Sequence, residues 1–140
     1  MAGSSYVLAE FSGRHSYQLI RNAVEKILCT GYCPVIAHIE RYPCLYEKNR
    51  AEELREIGAY LQINAGSLLG ENGREARRFC RQLMENDKIH FIASDAHNTK
   101  KRKPNLGKCS EFVLKKMGKD YARKIFCHNP FMVIKNSEIT

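Results

Sequence analysis

Seven polar residues stand at the ends of otherwise apolar stretches, and their side chains are of the kinds that hold cations and phosphate: Glu10, His38, Glu40, Arg41, Asn64, Asp95 and His97. Imidazole and carboxylate together suit borderline or hard divalent ions such as zinc, manganese and iron. His38 and Glu40 are two residues apart, as are Asp95 and His97. In an extended segment such residues project to the same side, so each pair is expected to face one way. Arg41 follows directly, and a planar guanidinium beside a metal is suited to gripping phosphate through two parallel hydrogen bonds. No cysteine shares these positions.

Taken singly, each residue has an ordinary explanation. A buried strand histidine is commonly held by hydrogen bonds, and a terminal aspartate commonly caps a helix. Taken together, Glu10, His38, Asp95 and His97 point to metal, because packing gives no reason for all four to choose strand ends.

The elements that must position them are legible from periodicity. Four short runs rich in β-branched or aromatic residues read as buried strands: Tyr6 to Glu10, Pro34 to Ile39, Tyr60 to Asn64 and Ile89 to Ser94. Helical patterns lie between and after them, at Ser16 to Thr30, Glu47 to Ile57, Arg74 to Glu85, Ser110 to Met117 and Tyr121 to Cys127, with a last one opened by Asn129-Pro130. Gly31, Gly58 and Gly118 follow helical patterns as stop signals do. Repeated strand-helix units with apolar strands predict a parallel sheet covered by helices, open or part of a barrel. In such folds the chemistry gathers at the C-terminal ends of the strands, where these polar residues fall.

Composition sets the outer bounds. The chain has 140 residues, 44% hydrophobic and 27% charged, as expected of one ordinary globular domain. No apolar run approaches the ~20 residues of a membrane span, and MAGSSYVLAEF lacks the features of a secretory leader, so a cytoplasmic setting is expected. Six cysteines are too sparse for a disulfide scaffold, and C-x3-C-x10-C is not a common zinc spacing. The formal charge of +8 favours anionic partners.

Two alternative readings of the chain are set aside. Cys44 to Arg50 satisfies the C-x5-R spacing of cysteine-dependent phosphatases, but L-Y-E-K-N lacks the glycines that let backbone amides converge, and Glu47 would repel phosphate. Arg74, Arg77, Arg78 and Arg81 form a basic helical stripe, yet no zinc-finger spacing, aromatic motif or glycine-rich clamp accompanies it, so nucleic acid is not expected.

The stretches YVLAEFS (Tyr6 to Ser12), PVIAHIERYP (Pro34 to Pro43), LQINAGSLLG (Leu61 to Gly70) and HFIASDAHN (His90 to Asn98), in that order, resemble the polymerase-and-histidinol-phosphatase (PHP) superfamily. Within it they resemble the bacterial tyrosine-protein phosphatase branch associated with capsule and exopolysaccharide synthesis. The resemblance implies an α/β chain that is the C-terminal portion of a distorted (β/α)7 barrel, with about four parallel strands and flanking helices. It further implies a cluster of divalent metals, often manganese with iron or zinc as alternatives, and hydrolysis of phosphotyrosine in proteins by metal-activated water. A bacterial tyrosine kinase is among the implied substrates.

Carried over residue by residue, Glu10 resembles a metal-bridging carboxylate, and His38, Asp95 and His97 resemble metal ligands. Arg41, in an H-x-E-R-Y pattern, resembles a phosphate-binding arginine. Arg102 is a second candidate, although R-K-P stands here where the family usually shows R-P-P. Glu40 belongs to the motif without being a ligand. The family opens with a strand ending in His-x-His and draws further ligands from the next strands, none of which is present. Residues 1–140 are therefore expected to form a single partial domain, with an open sheet edge that invites self-association or pairing with an N-terminal half. The alternative is a catalytically inactive module acting through such association.

Overall fold

The computed structural model describes residues 1, 3–98 and 104–139. Four strands, β1 (Tyr6–Ala9), β2 (Cys33–Ile36), β3 (Tyr60–Asn64) and β4 (Phe91–Ala93), form one sheet in the order β1-β2-β3-β4. Every pairing is parallel, with Leu8 beside Val35, Ile36 beside Leu61 and Ile63 beside Ile92. Parallel neighbours need a crossover between them, which the helices provide.

Helix α1 (Tyr17–Cys29) starts where the Ser16 hydroxyl accepts the amide of Leu19, and it buries Ile20 and Val24 on one face. The helices α2 (Arg50–Glu56), α3 (Ala65–Leu69) and α4 (Arg74–Glu85) follow before β4. Beyond the sheet come α5 (Leu106–Met117), α6 (Lys119–Arg123), a π-helical turn at Lys124–His128 and α7 (Asn129–Lys135). Among these, β3 and α4 have the bounds expected from the sequence.

Alternation along the strands sends side chains to two faces. Ile36, Leu61 and Ile63 join the main core with Ile20, Leu54, Leu68, Met84 and Ile89, whereas Val35 packs on the other side with Tyr6, Val133 and Ile139. Burying residues of this size contributes roughly 1.5–3 kcal/mol each. The core therefore fixes the level of each strand end, and with it the site.

Two expectations need correction. The strand predicted at Pro34 to Ile39 stops at Ile36, because His38 adopts a left-handed conformation (φ 36°) and Ile39–Arg41 closes a 3-10 turn. The apolar Ile39 is buried at the core side of that turn, which explains why it mimicked a strand residue. Helix α3, with Ala65 to Leu68 fully buried, carries no amphipathic pattern and was not anticipated.

Candidate active site

His38 and Asp95 occupy equivalent places. Each lies just past the end of a strand, β2 or β4, and each has a positive φ, 36° and 50°. Left-handed backbone at residues with a Cβ costs on the order of 1–3 kcal/mol and persists where the surroundings overdetermine it.

Those surroundings are a buried hydrogen-bonded line across three strands. The His38 amide donates to Gln62 Oε1 (2.9 Å), and Gln62 Nε2 donates to Asn64 Oδ1 (3.0 Å) and to the Ile63 carbonyl (2.6 Å). Asn64 Nδ2 then donates to Asp95 Oδ2 (3.3 Å). Gln62 and Asn64 are buried, and every step is a complementary donor-acceptor pair. The sequence reading named Asn64 but missed Gln62, whose signal was a lone polar residue inside the apolar strand YLQIN.

The His38 ring is held from both sides. Its Nδ1 lies 3.2 Å from the Tyr42 hydroxyl, which also accepts the Phe11 amide (2.9 Å). Its Nε2 lies 3.5 Å from a carboxylate oxygen of Glu10. Loop 10–15 runs close by, and Gly13 is required there: a Cβ would come within 2.9 Å of the Arg41 carbonyl oxygen.

Asp95 gathers the second group. Arg41 donates through Nη2 to Asp95 Oδ2, and His97 Nδ1 lies 3.6 Å from Oδ1. His97 Nδ1 also lies 2.8 Å from the Asp95 carbonyl oxygen. A carbonyl can only accept, so the proton sits on Nδ1 and the Nε2 lone pair is left available as a donor to a cation. Arg41, Asn64 and Asp95 line a cleft of about 590 Å³ with Asn72, Asn105 and Lys108.

The four expected metal ligands thus stand as two pairs, Glu10 with His38 and Asp95 with His97. Among the described residues no three His, Cys, Asp or Glu side chains converge on one ion position. Each pair still combines an imidazole with a carboxylate, and both imidazoles are oriented through Nδ1, His38 by the Tyr42 hydroxyl and His97 by the Asp95 carbonyl, as metal-binding histidines commonly are. The donor chemistry fits a divalent cation, with further donors needed to complete a coordination sphere. Arg102 lies outside the described residues.

Glu40 does not face with His38 as the i, i+2 spacing suggested, because residues 39–41 are not extended. Its Oε1 accepts from the Ser67 hydroxyl (2.8 Å) and the Asn64 amide (3.2 Å), which ties the turn after β2 to the start of α3. Burial pushes its carboxyl above the usual carboxylate range against the pull of those hydrogen bonds. Its role is to brace the Arg41 turn.

The C-x5-R segment makes no phosphate loop. Arg50 donates to the Cys44 carbonyl (2.9 Å) and pairs with Glu47 (2.6 Å). Burial pushes the Cys44 thiol up, away from the thiolate a nucleophile needs.

The strand ends of this parallel α/β sheet thus bring imidazoles, carboxylates and an arginine together, at the end of the sheet where such folds place their sites. The chain belongs to the capsular polysaccharide synthesis family CpsB/CapC, whose family model matches residues 1–135. It is 37% identical over 142 residues to the tyrosine-protein phosphatase CpsB of Streptococcus pneumoniae, a match covering 97% of this chain and 58% of that protein. It is 34% identical over 137 residues to the tyrosine-protein phosphatase YwqE of Bacillus subtilis, covering 97% of this chain and 51% of the relative. A solved chain from work on YwqE of B. subtilis and CpsB of S. pneumoniae, described as unique metal-dependent tyrosine phosphatases, superposes with a TM-score of 0.88 at 33% identity, covering 98% of this chain and 56% of the other. The chain therefore spans little more than half the length of these relatives. Among the described residues, no helix is long and apolar enough to cross a membrane.

Proposed function

We propose that this chain supplies part of a metal-dependent phosphatase site that hydrolyses phosphotyrosine in proteins of capsule or exopolysaccharide regulation, a bacterial tyrosine kinase being one such substrate. The observation that supports it is the buried line from His38 through Gln62 and Asn64 to Asp95, which levels two distant strand ends and brings Arg41 onto the second.

In this reading, Glu10 with His38 and Asp95 with His97 hold divalent ions, manganese by resemblance, with the remaining donors coming, as the same resemblance implies, from strands ahead of β1. Bound there, such ions supply the charge that activates water and balances the phosphoryl oxygens. Arg41 turns its guanidinium to the phosphate in the 590 Å³ cleft and fixes it through paired hydrogen bonds. Tyr42 orients the His38 ring, and Glu40 holds the turn that carries Arg41. The setting of the reaction is the cytoplasm.

The test is release of phosphate from a phosphotyrosine peptide by the purified chain with manganese. Turnover that His38→Ala or Asp95→Ala abolishes supports the reading. Absence of turnover across metals and concentrations, together with absence of phosphotyrosine binding, overturns it for this chain.

A further inference from the structure

The arginines of α4 are left over by this mechanism. Arg74, Arg77, Arg78 and Arg81 follow i, i+3, i+4, i+7 spacing and share one face of α4. Arg74, Arg77 and Arg78 are exposed, and among the described residues none of the three has a carboxylate within ion-pair distance. Such an unneutralised stripe is commonly a solvated surface. Here it is joined to the candidate active site.

The joining is by shared walls. Arg41 and Asn72 line both the 590 Å³ cleft beside Asp95 and a neighbouring cleft of about 480 Å³. Arg74 lines that second cleft and also a groove of about 500 Å³ that runs past Arg77, Arg78 and Arg81. A chain entering at Arg41 can therefore continue along α4 past Arg74, Arg77, Arg78 and Arg81, with Glu75 and Glu85 as the acidic side chains beside that path.

We propose that the α4 arginine stripe is a docking track for an acidic polypeptide segment contiguous with the phosphotyrosine that Arg41 receives; this rests on the phosphotyrosine reading given above. Arg74 to Arg81 spans about 10 Å along the helix, the length of roughly three extended residues. Charge complementarity supplies recognition and faster encounter. A nucleic-acid strand fits less well. Bases would need free aromatic faces to stack on, and the neighbouring rings are taken, Phe79 by Tyr46 at 4.4 Å and Phe112 by the Arg81 guanidinium at 4.8 Å.

The experiment measures binding of fluorescent tetraglutamate and tetraglutamine peptides to the full chain by anisotropy at low salt. Tetraglutamate should bind at least tenfold more tightly, and R77E/R78E should erase the difference, with R77Q/R78Q reducing it. A charge-matched control, K26E/K115E, changes the net charge on other helices and should retain most of the preference. Equal affinity for the two peptides, or equal loss in the control, overturns the track. Oligothymidylate that binds as tightly as tetraglutamate and is lost in R77E/R78E also overturns it, in favour of nucleic acid. Phosphotyrosine as the free amino acid separately reports on Arg41: its failure to bind counts against the phosphatase reading, while the glutamate preference tests the stripe by itself.

Discussion

The Tyr42 hydroxyl stands 3.2 Å from His38 Nδ1 while accepting the Phe11 amide, so one phenol ties the loop after β1 to the residue after β2. A hydroxyl has one proton and two lone pairs, and it can therefore serve either tautomer of the ring. With the proton on Nδ1, the Nε2 lone pair turns toward Glu10 and any cation held there. Tyr42→Phe removes this control and leaves the Phe11 amide without its acceptor. Manganese affinity by titration calorimetry should fall 10–100-fold. A variant that binds manganese as tightly as the parent would show that the phenol is only packing.

Gln62 is the hinge of the line between the two strand ends. Gln62→Leu preserves volume but strands the His38 amide and the Asn64 Oδ1 in the interior. Each buried group left unpaired costs on the order of 1–3 kcal/mol. The urea midpoint should drop accordingly, and phosphotyrosine turnover should fall further than stability alone accounts for, because His38 and Asp95 lose their common level. Unchanged turnover at a temperature where the variant is fully folded would separate the line from the chemistry.

Arg41 donates to the same Asp95 oxygen that accepts from Asn64. A cation on Asp95 competes with the guanidinium for that carboxylate and leaves Arg41 readier to meet an anion. Inorganic phosphate should therefore bind several-fold more tightly when manganese is present. In Arg41→Ala that enhancement should shrink, and Arg41→Lys should not restore it, because an ammonium cannot make the paired contact. Manganese-independent phosphate affinity in the parent chain would contradict the coupling.

His90 links folding to pH. Its Nδ1 accepts the Leu61 amide (2.9 Å), and burial, aided by Arg55 and Lys124, pulls its pKa from 6.5 down to about 4. The unfolded chain thus takes up the proton first. Stability is fully present above about pH 6.5 and is lost as the pH falls toward 4, by on the order of 3 kcal/mol across the window. His90→Asn keeps an acceptor near the Leu61 amide and removes the titration. Urea midpoints from pH 7 to pH 4.5 should decline less steeply in the variant, and parallel slopes would rule His90 out as the source.

Cys44→Ser tests the rejected nucleophile. The thiol is pushed up by burial, and Arg50 is engaged with Cys44's own carbonyl and with Glu47. The kcat/KM for a phosphotyrosine peptide should stay within about twofold of the parent, well below the loss expected when a covalent nucleophile is removed.

The sheet was legible because its strands are short, apolar and β-branched, and the helices because their apolar residues recur on one face. Periodicity failed where burial is complete. Ala65 to Leu68 are buried all round and look like an extension of β3 or a loop, so α3 left no pattern. Ile39 read as a strand residue because the core wants it, although the backbone had already turned left-handed at His38. The site residues were visible as polar letters at strand ends, and Arg41 was found with them. What joins them was not, since Gln62 and Tyr42 act through partners many residues away. Spacing paired Asp95 with His97, but it could not show that Glu10 stands with His38.

Each strand of the sheet lies beside its neighbour in sequence, from β1 through β4. A nascent chain can therefore lay down its sheet in the order it is made, each new strand docking on the one just delivered. The polar line cannot close until the last strand arrives with Asp95. Assembly of the sheet and readiness of the pocket are thereby separated in time, and a chain arrested before β4 would carry three paired strands and Arg41 without the Asp95 side of the cleft.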